Sequence, residues 1–294
     1  MNILRTPDER FAALPDWPFA PNYHQVTPDL RLHYVDEGPR DAAPVLMLHG
    51  EPTWSYLYRF MIPPVAAAGL RVLAPDQIGF GRSDKPAARG DYSYAAQVGW
   101  IRHWIEALDL RDITLVCQDW GSLIGLRLAA ESPERFAAVV LSNGGLPDGT
   151  PISRAFNVWK GFSRLSPWFP IGRIVQAGSK RRLSPAEVAA YDAPFPSDAY
   201  KAAARAYPSL VPVSADDPAV PDQLRAWQVF EDWTKPFVCC FSDGDPITRG
   251  GEAKFIPRVP GTQGQPHRPL HGGHFIQEDD PQAFARIVIE TATA

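Results

Sequence analysis

The sequence predicts an α/β protein in which helices flank a mostly parallel sheet and a helical segment is inserted into the fold. Short apolar runs alternate with helical patterns over the first half of the chain, as parallel sheets require. This alternation stops after Asn143 and resumes with an apolar run at 237–241. The intervening chain is rich in proline and aromatic residues and has no strand pattern, so we predict a helical cap over the sheet.

The predicted strands are of two kinds. Residues 23–37 alternate between apolar and polar side chains and predict an antiparallel hairpin that enters the sheet. The other runs are apolar throughout, as strands covered by helices on both faces must be. These runs lie at 44–49, 71–75, 113–118, 137–141 and 237–241, and a short final strand is predicted near 267–270.

Helical spacing of apolar residues fills the gaps between these strands. In the sheet domain it occurs at 94–108, 123–131, 224–233 and from 281 onward. In the inserted segment it occurs at 156–164, 185–191 and 198–206. We therefore predict a core domain formed by 1–147 and 223–294, and a cap formed by 148–222.

Composition narrows the possible partners and compartments. The 294 residues suit one large α/β domain with an insertion, and the net charge of −4 includes no basic block. We therefore expect neither nucleic acid nor a membrane as a partner. The first residues lack the apolar stretch of a signal peptide, and no run reaches the ~18 apolar residues of a membrane span. We expect a cytoplasmic protein.

The three cysteines, Cys117, Cys239 and Cys240, lie in predicted buried strands. Their spacing does not match a metal site, and we interpret them as small core residues without disulfides. We expect no metal and no organic cofactor.

The junction between the strand at 113–118 and the helix that follows is the most informative stretch. Small residues, Cys117 and Gly121, flank Asp119 there, as in a nucleophile elbow, where a strand and a helix pack closely around a sharp turn. The positive end of the helix dipole stabilises a negative charge, so an ionised Asp119 is a usable nucleophile. The alternative is an ordinary helix N-cap, a common role of aspartate.

A histidine and a second acid follow Asp119 in the order of a hydrolase triad. His274 lies among glycines in a turn before the last helix and is preferred to His271, which lies nearer the strand end. For the acid, Asp245 precedes a proline that stiffens the turn, and we prefer it to Asp243. Asn143 follows another strand, where an acid could also stand, but it cannot ionise.

Five segments together resemble the haloalkane dehalogenases, and more narrowly the subgroup whose second halide ligand is a cap tryptophan. The segments are HGEPTWSYLY (49–58), GFGRSDKP (79–86), QDWG (118–121), YDAPFP (191–196) and GHFIQE (273–278). The resemblance covers nearly the whole chain. It implies the α/β-hydrolase fold, with a mostly parallel eight-stranded sheet, and a monomer or small homo-oligomer that acts on small halogenated alkanes with water and releases halide.

This chemistry suits the residue types. A carboxylate nucleophile forms an alkyl ester that water can cleave, whereas serine would form an inert ether. Asp119 would attack carbon, and His274, oriented by Asp245, would then activate the water. The resemblance places the oxyanion donors at the backbone N–H groups of Trp120 and Glu51.

The departing halide needs hydrogen-bond donors, and an indole N–H is a donor only. The resemblance implies that Trp120 is the first halide ligand. Because we take Glu51 as an anionic side chain, the second must come from the cap, where Trp159 matches the family position and Trp168 is the fallback. Phe156, Phe162 and Phe195 are candidate pocket walls. Relatives usually carry a second glycine where this chain has Ser122, which puts the activity level in question.

Two alternatives stay open at this point. An epoxide hydrolase would share the fold and the triad but needs two cap tyrosines, for which Tyr191, Tyr200 and Tyr207 are available. A binding protein of the same fold would not need a complete triad, and all three members are present here.

Overall fold

The computed structural model describes residues 1–151 and 153–294. Nine strands are found in this part of the chain. They are β1 (Ile3–Leu4), β2 (Asn22–Gln25), β3 (Arg31–Glu37), β4 (Pro44–Leu48), β5 (Arg71–Pro75), β6 (Lys85–Pro86), β7 (Ile113–Asp119), β8 (Phe136–Gly144) and β9 (Phe237–Cys239).

Seven of the strands form one mixed sheet in the order β2-β3-β5-β4-β7-β8-β9. The edge strand β2 pairs antiparallel with β3, and β3 pairs antiparallel with β5, as the alternating pattern of the N-terminal hairpin predicted. The four remaining pairings are parallel. Strands β1 and β6 form a separate antiparallel pair. The expected mostly parallel α/β sheet is therefore confirmed.

The expected eighth strand is wrong. Where a strand near 267–270 was predicted, the structure has only an isolated bridge between Ser242 and Leu270. Pro266 and Pro269 lack the N–H donors that a strand ladder requires, and the strand beside this segment, β9, spans only three residues.

Ten α-helices accompany these strands in the described residues. They are α1 (Ile62–Ala67), α2 (Tyr94–Ala107), α3 (Trp120–Glu131), α4 (Arg154–Leu165), α5 (Ile171–Gly178), α6 (Pro185–Asp192), α7 (Ala202–Leu210), α8 (Val220–Glu231), α9 (Ile276–Asp279) and α10 (Pro281–Ala292). One core cluster packs α1 and α10 against one face of the sheet, and the other packs α2, α3 and α8 against the opposite face.

Local sequence explains several helix starts. The Ser93 hydroxyl accepts from the backbone N–H of Ala96 at the start of α2, and Asp280 accepts from Ala283 at the start of α10. Ser184 and Glu187 form a capping box that begins α6. These caps satisfy backbone N–H groups that would otherwise lack partners.

The inserted segment is helical, as predicted, but it contains one helix more. Sequence patterns indicated α4, α6 and α7 and missed α5, which has eight residues, a glycine at each end region and no side-chain N-cap. Its buried stripe includes Ile171 and Val175. Helix α8 begins at Val220, so the predicted cap boundary at 222 falls in its first turn; the division into core and cap stays a prediction.

Buried charges join the inserted segment to the sheet domain. The guanidinium of Arg59, which follows the turn after β4, is fully buried and pairs with Glu278 and with Glu187 of α6. Arg181 binds the same two carboxylates, and the Tyr191 hydroxyl donates to Glu278. Removing one partner of a buried ion pair leaves the other charge unpaired, which is costly, so this cluster fixes α6 against α9, the short helix after His274.

No helix in the described residues is long and apolar enough to cross a membrane.

Candidate active site

Asp119 ends β7 on a sharp turn that the glycines around it permit. Its backbone has φ of 50° and ψ of −128°, a strained conformation for a residue with a side chain. A Cβ on Gly121 would lie 1.9 Å from the carbonyl oxygen of Leu48, and a Cβ on Gly50 would lie 2.4 Å from the Cβ of Asp119. The carboxylate makes no cap hydrogen bond to α3, so it does not serve as the ordinary N-cap considered as the alternative.

Ser122 takes part in the same turn. Its buried hydroxyl donates to the carbonyl oxygen of Asp119 at 2.6 Å and accepts from the backbone N–H of Gly145 at 2.8 Å. The hydroxymethyl group that departs from the family pattern therefore ties the turn to the end of β8.

The structure brings Asp119, His274 and Asp245 together. Nδ1 of His274 lies 2.9 Å from Oδ2 of Asp245, and Nε2 lies 3.5 Å from Oδ2 of Asp119. Asp245 is almost completely buried and also accepts hydrogen bonds from the Ile247 N–H and the Thr248 hydroxyl. The backbone N–H of His274 donates to Gly178 at the end of α5, so the inserted segment also supports the histidine loop.

The two residues that we ranked lower, Asp243 and His271, lie outside this arrangement. The His271 imidazole contacts Asp243 at 2.7 Å, and Lys180 binds the same carboxylate. His271 and Lys180 are largely exposed and Asp243 is partly exposed, so this is a surface ion pair.

The two carboxylates govern the charge of the imidazole. Burial alone would lower the pKa of His274, but Asp245 and Asp119 outweigh it and raise that pKa to about 10. Burial of Asp245 opposes ionisation in the same way, and the facing His274 nevertheless lowers the pKa of Asp245 to about 2. With Asp119 ionised, His274 is therefore an imidazolium at neutral pH.

Glu51 contacts the carboxylate of Asp119 through its backbone. The Glu51 N–H donates to Oδ1 of Asp119 at 2.7 Å. The other expected oxyanion donor is the backbone N–H of Trp120, the first residue of α3. In the described part of the chain this N–H makes no hydrogen bond to the Asp119 carboxylate.

The side chain of Glu51 differs from our expectation. Burial raises the pKa of its carboxyl well above the usual range, nearby Asp119 raises it further, and Trp159 and His274 oppose the rise only in part. Oε1 of Glu51 is buried without a hydrogen-bond partner among the described residues. Burial and the neighbouring Asp119 therefore both disfavour the anionic form that we expected for the Glu51 carboxyl.

A cavity of about 570 Å³ lies above Asp119 and His274. Its walls come from both parts of the fold, with Trp120 and Leu123 from α3, Phe156 and Trp159 from α4, Ile174 from α5 and Pro208 from α7. Most of this lining is apolar. Its titratable side chains are Glu51, Asp119 and His274, together with Arg249 and Lys254, which follow Asp245 in the chain. Such a site suits a small apolar molecule with one reactive position.

The two tryptophans expected to bind halide both line this cavity. The indole N–H of Trp120 makes no hydrogen bond to the residues that the structure describes, so it is free to bind an anion. Trp159 faces the carboxyl of Glu51 and stacks on Phe169.

Three aromatic candidates lie elsewhere. Trp168, the fallback ligand, is exposed at the surface, and Phe162 lies on the outer side of α4 against Trp159 and Phe169. Phe195 is buried against Phe80. Of the three phenylalanines expected as pocket walls, only Phe156 lines the cavity, because the other two pack into their own neighbours first.

The tyrosines required by the alternative reaction are engaged away from the cavity. Tyr191 donates to Glu278, and Tyr207 donates to Gln77 at 3.0 Å. In the described residues no tyrosine side chain lines the cavity. The arrangement therefore lacks the acid donors that opening of an epoxide needs.

Two residues at the site were missed by sequence reasoning. The side-chain amide of Gln118 lies 3.0 Å from Nε2 of His274, and the amide of Asn143 donates to the carbonyl oxygens of Gly273 and His274. Asn143 had been considered only as a position for an acid. Polar residues at the ends of apolar strands were the available signal, since a buried amide needs partners there.

The chain is similar to known proteins over nearly its whole length. Residues 43–281 match a family model described as alpha/beta hydrolase fold. A haloalkane dehalogenase of Mycobacterium marinum is 52% identical over 296 residues, covering 98% of this chain and 99% of the relative. Haloalkane dehalogenase 1 of Mycobacterium tuberculosis H37Rv is 54% identical over 292 residues, with 97% of each chain covered.

Solved structures agree with this similarity. The tetrameric haloalkane dehalogenase DpaA from Paraglaciecola agarilytica NO2 superposes with a TM-score of 0.90 at 35% identity, covering 100% of this chain and 99% of its own. Haloalkane dehalogenase DatA from Agrobacterium tumefaciens C58 gives 0.80 at 26% identity, over 98% of this chain and 99% of its own. Because more than half of the residues are shared with full-length relatives, this chain belongs to the haloalkane dehalogenases, within the α/β-hydrolase fold.

Proposed function

We propose that the enzyme hydrolyses the carbon–halogen bond of small haloalkanes, giving an alcohol, a halide ion and a proton. The observation that carries the proposal is the position of the Asp119 carboxylate on the floor of an apolar cavity, between the Glu51 N–H and the His274 imidazole. A carboxylate so placed can attack an sp³ carbon, and water can later remove the resulting ester.

In the first step, Oδ2 of Asp119 forms a bond to the substrate carbon as the carbon–halogen bond breaks and halide leaves with the electron pair. Oδ1 is the oxygen held by the Glu51 N–H, so it becomes the carbonyl oxygen of the ester. The donor is then already in place for the oxyanion of the second step. We propose the backbone N–H of Trp120 as the second donor, since Trp120 directly follows Asp119 and is the first residue of α3.

Ester formation removes the negative charge of Asp119 and thereby changes the pKa of the His274 imidazole. The Asp119 carboxylate is one of the two groups that raise the pKa of the imidazole, so that pKa falls once the ester has formed. His274 then releases its proton to solvent, and this is the proton that the overall reaction yields.

The neutral imidazole next takes a proton from water as the oxygen of that water adds to the ester carbonyl carbon. The intermediate collapses to the alcohol and the Asp119 carboxylate, and His274 is again an imidazolium. Asp245 holds the ring through Nδ1 and stabilises its positive charge.

For the departing halide, we propose the indole N–H groups of Trp120 and Trp159 as donors. Trp120 is adjacent to the nucleophile and unpaired, and Trp159 is supplied by the inserted segment at the cavity wall. The raised pKa of the Glu51 carboxyl supports this assignment, because an ionised carboxyl would repel the anion. We propose residues 148–222 as the cap that closes the cavity.

The remaining assignments follow from the same features. The volume of the cavity supports small halogenated alkanes and water as the reactants. We propose a monomer or small homo-oligomer; the similar DpaA is described as tetrameric. The three cysteines are buried and free, which supports the reducing cytoplasm as the location.

The test uses 1-bromobutane, 1,2-dibromoethane and a small terminal epoxide as substrates. Wild-type enzyme is expected to release bromide, and Asp119→Ala is expected to release none. In His274→Ala the ester should persist, so intact-mass measurement should show one butyl group, which peptide mapping places on Asp119. Equal bromide release by the wild type and Asp119→Ala, or epoxide opening without bromide release, would refute the proposal.

A further inference from the structure

The net charge of −4 conceals a strong separation of charge along the chain. Between Asp148 and Glu187 there are seven basic residues and no acidic residue, so this segment carries +7 and the rest of the chain −11. The segment contains α4 and α5 and the loops that join them to α6. A charge of this density in one segment attracts anions that the whole-chain value would not suggest.

Most of these basic side chains are free. In the described residues, Lys180 pairs with Asp243 and Arg181 pairs with Glu187 and Glu278. The other five form no salt bridge to the described residues; they are Arg154, Lys160, Arg164, Arg173 and Arg182. Four of the five are exposed and Lys160 is partly exposed.

The same surface carries the most prominent exposed apolar side chains in the described residues. Val158 and Leu165 are each 72% exposed, Trp168 is 60% exposed and Phe162 is 36% exposed. We call these four side chains the outer apolar patch. The spacing of 158, 162 and 165 places three of them on one stripe of α4, and Trp168 follows three residues after the helix ends. The guanidinium of Arg173 lies 5.7 Å from the Trp168 ring, so a free cation borders the patch.

Helix α4 is therefore apolar on two sides for two reasons. Its inner side, with Phe156 and Trp159, lines the cavity. On its outer side Val158 and Leu165 are largely exposed, and Phe162 is covered only in part, by Trp159 and Phe169. Apolar side chains that include a tryptophan, with free arginines beside them and no carboxylate in the segment, are the pattern of a helix that lies in a membrane interface. The tryptophan ring suits the headgroup level, and the arginines suit anionic headgroups.

We propose that this face of the cap, formed by the outer apolar patch and its five free basic residues, binds reversibly to the surface of an anionic phospholipid bilayer. A second copy of the chain is a poorer occupant, because a symmetric contact through this face would bring two sets of five unpaired basic side chains together. The proposal is independent of the reaction. If the proposed function is correct, the bound state would also place the cavity near lipid, where apolar haloalkanes concentrate.

The experiment measures cosedimentation of the full-length enzyme with vesicles, without substrate. Vesicles of phosphatidylcholine alone are compared with vesicles of equimolar phosphatidylcholine and phosphatidylglycerol. Each is measured at about 20 mM salt, where charges are weakly screened, and at about 500 mM salt, where they are strongly screened. The wild type is expected to pellet with the anionic vesicles at low salt, about tenfold or more above the neutral ones, and to be released at high salt.

Two variants test the two halves of the surface. The first is Val158→Ser with Leu165→Ser and Trp168→Ser; the second is Arg154→Gln with Arg164→Gln and Arg173→Gln. Each should reduce binding at least roughly tenfold, since every buried apolar side chain and every paired arginine contributes. All six positions lie outside the cavity lining, so halide release in buffer should stay within about twofold and verifies folding.

Matched controls remove similar groups elsewhere. Leu224→Ser changes an apolar side chain that is 48% exposed on α8, and the combination of Arg111→Gln, Arg225→Gln and Arg268→Gln removes three exposed charges from other surfaces. Both should bind vesicles as the wild type does. Failure of the wild type to bind, equal binding to both vesicle types, or equal losses in variants and controls would overturn the proposal. So would a change of oligomeric state in the patch variant, measured by light scattering, with vesicle binding unchanged.

Discussion

Nε2 of His274 lies 3.5 Å from Oδ2 of Asp119, while its other ring nitrogen contacts Asp245. One imidazole therefore lies between two carboxylates, and only one of them is consumed during the proposed reaction. Because of this position, the charge of Asp119 controls whether the His274 imidazole is protonated. The imidazole carries the proton while the Asp119 carboxylate is free and loses it once Asp119 is esterified.

The first prediction concerns that control. Asp119→Asn removes one carboxylate at nearly constant shape, so the pKa of His274 should fall by about 1 to 3 pH units from its raised value. The titration of the His274 ring by NMR measures the change. Asp243→Asn, which alters the surface contacts with His271 and Lys180, should leave the pKa of His274 unchanged. An unchanged pKa in Asp119→Asn would show that the nucleophile does not control the base.

The second prediction separates the two steps of the reaction. Asp245→Asn keeps the ring contact but cannot stabilise the imidazolium, so ester hydrolysis should slow by about 10³ to 10⁴-fold. Alkylation does not use the base, and one equivalent of bromide should still appear in a rapid burst. Rapid-quench measurement of bromide gives both phases. Asp243→Asn should turn over within twofold of the wild type; loss of the burst in Asp245→Asn would contradict the assigned order of steps.

Local pattern was sufficient for the residues at the centre of the site. The glycines around Asp119 and His274 marked both positions, because sharp turns and close backbone approach need glycine, and Pro246 distinguished Asp245 from Asp243. The parallel strands were predicted for a similar reason, since burial on both faces demands uninterrupted apolar runs.

Features that depend on distant parts of the chain could not be predicted in this way. The raised pKa of Glu51 results from burial together with the nearby Asp119, which lies 68 positions further along the chain. Phe162 and Phe195 are of a residue type that suits a pocket wall, yet whether they reach the cavity depends on how the surrounding chain folds. The prediction of an eighth strand was wrong because two prolines remove backbone N–H donors from a segment that otherwise lies suitably at the sheet edge.

The third prediction follows from the raised pKa of the Glu51 carboxyl. A raised folded-state pKa means that the folded protein keeps a proton that the unfolded chain loses, so this group's contribution to stability is complete below about pH 4.5 and is lost as pH rises toward the raised value. Glu51→Gln cannot ionise in either state. Its free energy of unfolding relative to wild type should therefore increase with pH, by up to about 1.4 kcal/mol per pH unit.

Urea denaturation between pH 4.5 and 8 measures this difference. A flat difference for Glu51→Gln would mean that Glu51 is ionised in the folded enzyme.

The fourth prediction concerns Ser122, the residue that departs from the family pattern. Ser122→Ala leaves the Gly145 N–H without its acceptor in a buried turn, which should cost about 1 to 3 kcal/mol of stability. Chemical denaturation measures the loss. Ser166→Ala removes a hydroxyl that also donates and accepts once, but at an exposed position, and should cost less than about 0.5 kcal/mol. Equal costs would show that the Ser122 bonds do not stabilise the elbow.

The last prediction concerns the cap indole. Trp159→Phe keeps an aromatic ring against Phe169 but removes the N–H donor, so bromide should bind about tenfold or more weakly and the alkylation rate should fall with it. Bromide binding is measured by quenching of tryptophan fluorescence, and alkylation by single-turnover bromide release. Trp168→Phe makes the same change on the outer surface and should alter neither quantity. If Trp159→Phe also alters neither, then Trp120 alone binds the departing ion, and the neutral carboxyl of Glu51 becomes the candidate for the second donor.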